Sequence, residues 1–261
     1  MNRKHNYVLM ALVAALIMLL YSIPVYANKL TAEKQNQLND YYQQAWTLLG
    51  QMHKDVSNLD KAYVIYQKAL ALVPNNETTF WKIAEILFKK AQETKDEPSA
   101  KKLYDQALEN ATKAVEINPN SVEALYWQGT CEAKQAELAG IFKAMGLVKK
   151  SKKHLNKSIA LEPNNRFAVL ARVILAVLYT EPPWPMRDLS EADKLTAKAV
   201  EMDPNLTLAS VKRAKVHIKN GNNALAKKEL QRCLNIKNPT YAWDSELYDW
   251  PEAKNLLNQL K

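Results

Sequence analysis

The sequence predicts an all-α protein, a solenoid of about five stacked helix pairs with elongated early units and a C-terminal capping helix. Two observations carry that expectation. A phrase such as Ala-Leu-Ala-Leu-Val-Pro-Asn-Asn, ending at Asn76, recurs with its proline at 74, 119, 163, 204 and, more loosely, 239. A unit repeated this way cannot bury its apolar face alone and must stack on its neighbours. Counting back from each proline then shows what the unit is. Ala62, Tyr66 and Ala69 precede Pro74 at the same spacing as Ala107, Ala111 and Ala114 before Pro119, and as Ala192, Thr196 and Ala199 before Pro204. Small residues at helical spacing let a second helix approach closely, and the proline ends the helix that carries them.

Taken in order, residues 1–27 read as a signal peptide. Asn2-Arg-Lys-His gives a positive start, Val8–Leu20 is an unbroken apolar run, and Val25-Tyr-Ala27 has the small-residue ending of a cleavage site. An uncleaved anchor is the other reading of this stretch. In both, the expected location is periplasmic or otherwise extracytoplasmic, after cleavage near Ala27. A lead-in follows over 28–42, the solenoid over 43–240 and the cap over 241–261. Trp46, Leu49 and Gly50 mark the first helix of the first pair; Phe80, Ile83 and Ala84 mark the second, and Leu125 and Gly129 the third. Successive prolines lie 45, 44, 41 and 35 residues apart. The surplus in the early units falls at Lys90–Leu103 and Ala139–Lys153, which carry good helix formers and read as elongated helices. In the fourth unit it is instead the proline-rich loop around Trp184, where no helix can form.

The bulky-small-proline pattern over roughly residues 43–239 resembles the tetratricopeptide repeat (TPR), a helix-turn-helix unit of about 34 residues. The strings Ala124-Leu-Tyr-Trp-Gln-Gly, Gly140-Ile-Phe-Lys-Ala and Lys149-Lys-Ser-Lys-Lys-His-Leu, the Pro-Pro-Trp-Pro loop and Glu252-Ala-Lys-Asn-Leu-Leu are similar to the T-component of TRAP-type transporters. A related TPR family, the regulators of microtubule dynamics, has similar elongated units. The export-type leader favours the transporter component. That resemblance implies a periplasmic protein that partners a solute-binding subunit.

The formal charge is +9, of which Arg3 and Lys4 in the leader supply two. Lys143, Lys149, Lys150, Lys152, Lys153 and Lys157 run with no acid between them, with Lys149, Lys153 and Lys157 on one helical face. This run reads either as a contact for anions or membrane headgroups or as a solvated outer face. Nucleic acid is not an expected partner, since no reading motif is present. Membrane association is expected only through the leader, if it is retained. Cys131 and Cys233 fall in the third and fifth units, too far apart for a disulfide, and are expected as buried thiols.

No catalytic constellation is legible. His53, His154 and His217 sit in separate units, neither cysteine neighbours a histidine, and the five glycines form no phosphate-cradling loop. The expectation is a non-enzymatic binding protein without cofactor or metal. In a TPR solenoid the first helix of each pair lines the concave face. The run Phe167–Tyr179 is apolar all round save Arg172, so something covers it, and the elongated helices are the expected cover. The candidate groove is therefore Trp81, Phe88, Tyr126, Thr130, Lys134, Phe167, Leu170, Arg172 and Ile174. Such a lining suits a small apolar or amphipathic anionic solute. The alternative is a cell-envelope scaffold that grips peptide or protein segments on an open concave face; taken singly, each aromatic also reads as core packing.

Overall fold

A computed structural model describes residues 31–182 and 186–260. The leader and Trp184 lie outside them. Thr31–Gln37 fall in a first unit, and the second begins at Leu38.

The repeat phrase works as a stop and a start. Ten helices form five pairs: α1 (Ala32–Gly50) with α2 (Asn58–Leu72), α3 (Glu77–Glu93) with α4 (Glu97–Ile117), α5 (Val122–Glu137) with α6 (Ile141–Leu161), α7 (Arg166–Thr180) with α8 (Leu189–Met202), and α9 (Thr207–Lys219) with α10 (Asn223–Asn235). Each proline follows the second helix of a pair. The polar residue just after it caps the next first helix: Asn76 accepts from the Thr79 N–H at 2.8 Å, Ser121 from Ala124 at 3.2 Å and Asn165 from Phe167 at 2.9 Å. These caps satisfy amides that the helix itself leaves unpaired. Asn75 takes the left-handed conformation, φ 60°, that lets the chain turn between Pro74 and the cap, and asparagine tolerates it.

The small-residue triplets are buried in every pair. Ala62, Tyr66 and Ala69 in α2, Ala107, Ala111 and Ala114 in α4, and Ala192, Thr196 and Ala199 in α8 have no exposed surface. Ser151, Leu155 and Ser158 hold the same places in α6, and Ala226, Leu230 and Cys233 in α10. Between α5 and α6 the approach is close: the Ser151 hydroxyl donates to the Gly129 carbonyl at 2.6 Å and that of Ser158 to Val122 at 2.9 Å. The elongation expected in the early units is present, and it lengthens the second helix of each pair. α4 and α6 run 21 residues each, and Pro98 stands at the start of α4, where a missing N–H costs nothing. Cys131 and Cys233 are free and buried.

The C-terminal segment turns back across the solenoid. Thr240 ties its start to Asp203 at 2.8 Å, followed by a short turn Ala242–Asp244, a π-helical turn Ser245–Asp249 and α11 (Trp250–Gln259). α11 packs on α9 and α10 through Ala253 and Trp250, whose Nε1 donates to the Cys233 carbonyl at 3.2 Å. Trp243, Leu247 and Tyr248 instead reach the apolar cluster of α1, α2 and α3. Trp243 meets Trp46 edge-on at 5.4 Å, Lys89 binds Asp244, and the Tyr248 hydroxyl donates to Glu93. The last repeat is thereby tied to the first.

Candidate functional site

The C-terminal crossing turns the concave groove into a cavity of about 830 Å³. Its walls come from the first helices of the pairs: Trp46 of α1, Glu85, Phe88, Lys89 and Gln92 of α3, Tyr126, Trp127, Thr130 and Lys134 of α5, Arg166, Phe167, Leu170, Ile174 and Val177 of α7, and Lys212 and Lys215 of α9. Tyr241, Trp243, Asp244, Tyr248, Asp249 and Glu252 form the roof. The elongated part of α6 adds Ala144 and Val148 at one side. The expected cover was the elongated helices; most of it is the C-terminal segment, because its aromatic residues find their partners on α1 and α3.

Seven of the nine sequence-derived groove residues meet here: Phe88, Tyr126, Thr130, Lys134, Phe167, Leu170 and Ile174. Two do not. Trp81 lies one turn before the cavity face of α3 and packs edge-on against Phe167 at 5.5 Å, with the Lys82 ammonium 4.3 Å from its ring. Arg172 points away; its guanidinium donates to the Pro163 and Ala168 carbonyls, both at 3.0 Å, and braces the turn before its own helix. The arginine in the cavity is Arg166, four residues before Leu170 on the same face. Sequence spacing contained that signal, but the residue sits next to a helix cap and outside the apolar run.

The cavity is apolar along α5 and α7 and charged toward the roof. Phe88, Tyr126, Trp127 and Phe167 form a chain of ring contacts 5.1–5.8 Å apart. At the charged end most groups are paired. Lys89 holds Asp244, Lys212 and Lys215 hold Glu252 at 2.9 and 3.2 Å, and Lys134 holds Glu137 at 2.8 Å. Burial opposes the Glu252 charge, yet the two lysines keep its carboxyl below the usual range. Arg166 is different. It lies over the rings of Phe167 at 4.6 Å and Trp46 at 5.3 Å, and it makes no ion pair among the described residues. The nearby Glu85 carboxyl is pushed up by burial, against the pull of Lys82, Lys89 and Arg166, so its own negative charge is disfavoured. Trp127 Nε1 is a buried donor without an acceptor among the described residues.

Asp249 in the roof is 3% exposed and accepts from the Thr207 hydroxyl at 2.6 Å. Burial raises its carboxyl to about 6. A raised acid pKa means the folded state holds the proton more tightly, so this group favours folding fully below about pH 4 and the contribution is lost as pH rises through 6. Asp249→Asn should therefore remove a pH-dependent term. Between pH 5 and 7.5 wild type is expected to lose ~1.4 kcal/mol relative to the variant, read by urea denaturation at the two pH values. Equal pH dependence in both proteins would contradict the assignment.

Among the described residues no cluster of three histidines, cysteines or carboxylates could hold a metal ion. A thermophilic TPR protein from Thermus thermophilus superposes with a TM-score of 0.63 over 86% of this chain and 99% of its own, at 15% identity, which establishes the shared fold. Two curated relatives, the regulator of microtubule dynamics protein 1 of Pongo abelii and of Rattus norvegicus, are each 28% identical, over 116 and 139 residues. Those matches cover 41% and 48% of this chain and 37% and 45% of the relatives, so less than half of each relative's length is spanned. The periplasmic placement is overturned by them: both relatives come from animals, whose cells have no periplasm, and neither is the transporter component that the leader had favoured. The family model for regulator of microtubule dynamics proteins 1-3 matches residues 41–261, and the chain belongs to that family.

Proposed function

We propose that this chain is a non-catalytic TPR scaffold whose roofed groove holds an amphipathic anion, an apolar chain with a carboxylate or phosphate head. The observation that supports this is Arg166. A guanidinium on an aromatic platform, without a carboxylate partner, is a strong and directional receptor for a planar or tetrahedral anion. Glu85, an acid within electrostatic reach of Arg166, is weakened by burial. Beyond the head site, Tyr126, Phe167, Leu170 and Ile174 offer an apolar wall for the chain, and Trp127 Nε1 offers a further donor. The volume suits a ligand of a few hundred daltons.

By its family the scaffold would act on microtubule dynamics through a protein partner, with the guest deciding whether the roofed form is populated. Of the transporter reading, the enclosed solute carries over; the solute-binding subunit does not enter the proposal.

Calorimetric titration with decanoate, and with decyltrimethylammonium as its charge-reversed counterpart, tests the head site. Decanoate is expected to bind and the cation not. Arg166→Gln should weaken decanoate about tenfold, the ~1.4 kcal/mol expected of one charge-assisted contact. Equal binding of the two amphiphiles, or an unchanged affinity in the variant, would contradict the proposal.

A further inference from the structure

The start of α6 carries a feature that neither the core nor the cavity accounts for. Phe142 is 88% exposed, Ile141 65%, Met145 55% and Leu138, just before the helix, 46%. Large apolar side chains scattered singly need no explanation, but these four crowd into two turns. Ile141, Met145, Lys149 and Lys153 follow one another at intervals of four and so share a face, with Phe142 beside it. Lys143 and Lys150 are exposed as well. From Leu138 to Leu161 there is no acidic residue. Two carboxylates of the preceding helix are occupied, Glu132 by His154 at 2.8 Å and Glu137 by Lys134, while Asp188 faces Lys152. Lys152 and Lys157 are engaged within the fold, the first 3.5 Å over the Tyr179 ring and the second on the Pro119 carbonyl at 2.7 Å.

We propose that this end of α6 docks the scaffold on an anionic lipid bilayer, with Ile141, Phe142 and Met145 entering the interface and Lys149 and Lys153 binding the headgroup phosphates. The geometry favours a bilayer over a protein groove. The apolar residues form a projecting point rather than a stripe, and the lysines trail it by about 6 and 12 Å along the helix axis. That offset matches an apolar tip set roughly 5–10 Å into the acyl boundary with cations at phosphate level. Of the two readings of the lysine run, headgroup contact or solvated face, this takes the first; the contact lies within the folded solenoid and is independent of what the cavity holds.

A site-specific probe separates this contact from any binding through residues 1–30. Met145→Cys in the full chain, labelled with the environment-sensitive dye NBD, leaves Phe142 and Ile141 in place, and the native thiols Cys131 and Cys233 are buried. Val64→Cys, on exposed surface of α2, is the control position. With phosphatidylcholine vesicles containing about 30% phosphatidylserine, the label at 145 should shift to the blue and brighten severalfold, while the label at 64 should not. Phe142→Ser or the pair Lys149→Glu and Lys153→Glu should abolish the response, and raising salt from about 0.1 to 0.5 M should weaken it at least fivefold. Circular dichroism should be unchanged in these variants, since the altered side chains are exposed. The proposal fails if 145 and 64 respond alike, if neutral vesicles act as well as anionic ones, or if the shift appears without vesicles and grows with protein concentration, which would assign the patch to a second copy.

Discussion

Gly129→Val should destabilise the fold by about 3 kcal/mol, more than any exposed substitution in the solenoid. A Cβ at this position would lie 2.6 Å from Leu155 Cγ and 2.9 Å from its Cδ2, with the Ser151 carbonyl oxygen at 3.2 Å. Leu155 is fully buried, so it cannot swing away, and relief requires α5 and α6 to separate. Separation in turn breaks the bond from Ser151 to the Gly129 carbonyl and strains that from Ser158 to Val122. Valine gains only about half a kcal/mol of helix propensity over glycine, too little to offset the clash. Because Leu155 is the obstacle, Leu155→Ala should partly rescue Gly129→Val, and a double-mutant cycle of unfolding free energies would show coupling above about 1 kcal/mol. Additive effects would mean that the close approach of the two helices is not what the glycine serves.

Trp243→Ala is expected to cost ~2–3 kcal/mol in stability and, by the same change, to weaken guest binding. The ring is the roof's main anchor on α1: it packs edge-on against Trp46, contacts Tyr241 at 5.4 Å and faces Gly50, where an added Cβ would meet it at 3.6 Å. Trp46 also carries the Arg166 guanidinium at 5.3 Å, so loss of Trp243 loosens both the roof and the aromatic platform of the head site. Trp243→Phe keeps an edge-on partner and should restore most of both effects. Thermal unfolding followed by far-ultraviolet circular dichroism, with decanoate titration alongside, reads the two consequences separately. A variant that loses stability but binds decanoate normally would detach the roof from the site.

Much of the architecture was legible because repetition amplifies weak signals. Each small-residue triplet is ambiguous alone; the same spacing before successive prolines is not. Ser151, Leu155 and Ser158 show that the rule is about approach distance and not about alanine. The cavity wall was legible to the extent that helical register is regular, and the α5 and α7 residues fell where spacing placed them. Trp81 lies one turn short of the cavity, because the α3 residues that line it begin at Glu85. Arg172 was chosen for being the lone charge in an apolar run, but two residues from Leu170 is nearly the opposite side of a helix, whereas Arg166 is four residues away. From sequence the C-terminal segment reads only as a capping helix. Its contacts join Trp243 to Trp46 and Tyr248 to Glu93, pairs far apart in sequence, which no local pattern encodes. The leader misled the assignment of family and compartment, since it outweighed the elongated units that the regulator family shares.

If the roofed groove is a binding site, native mass spectrometry of the full chain shows it most directly. After incubation with excess decanoate, wild type should carry a single adduct of one decanoate that is lost on denaturation, and Arg166→Gln should carry little. An unliganded mass for wild type, or an adduct of equal abundance in both proteins, would contradict the assignment of the cavity to an amphipathic anion.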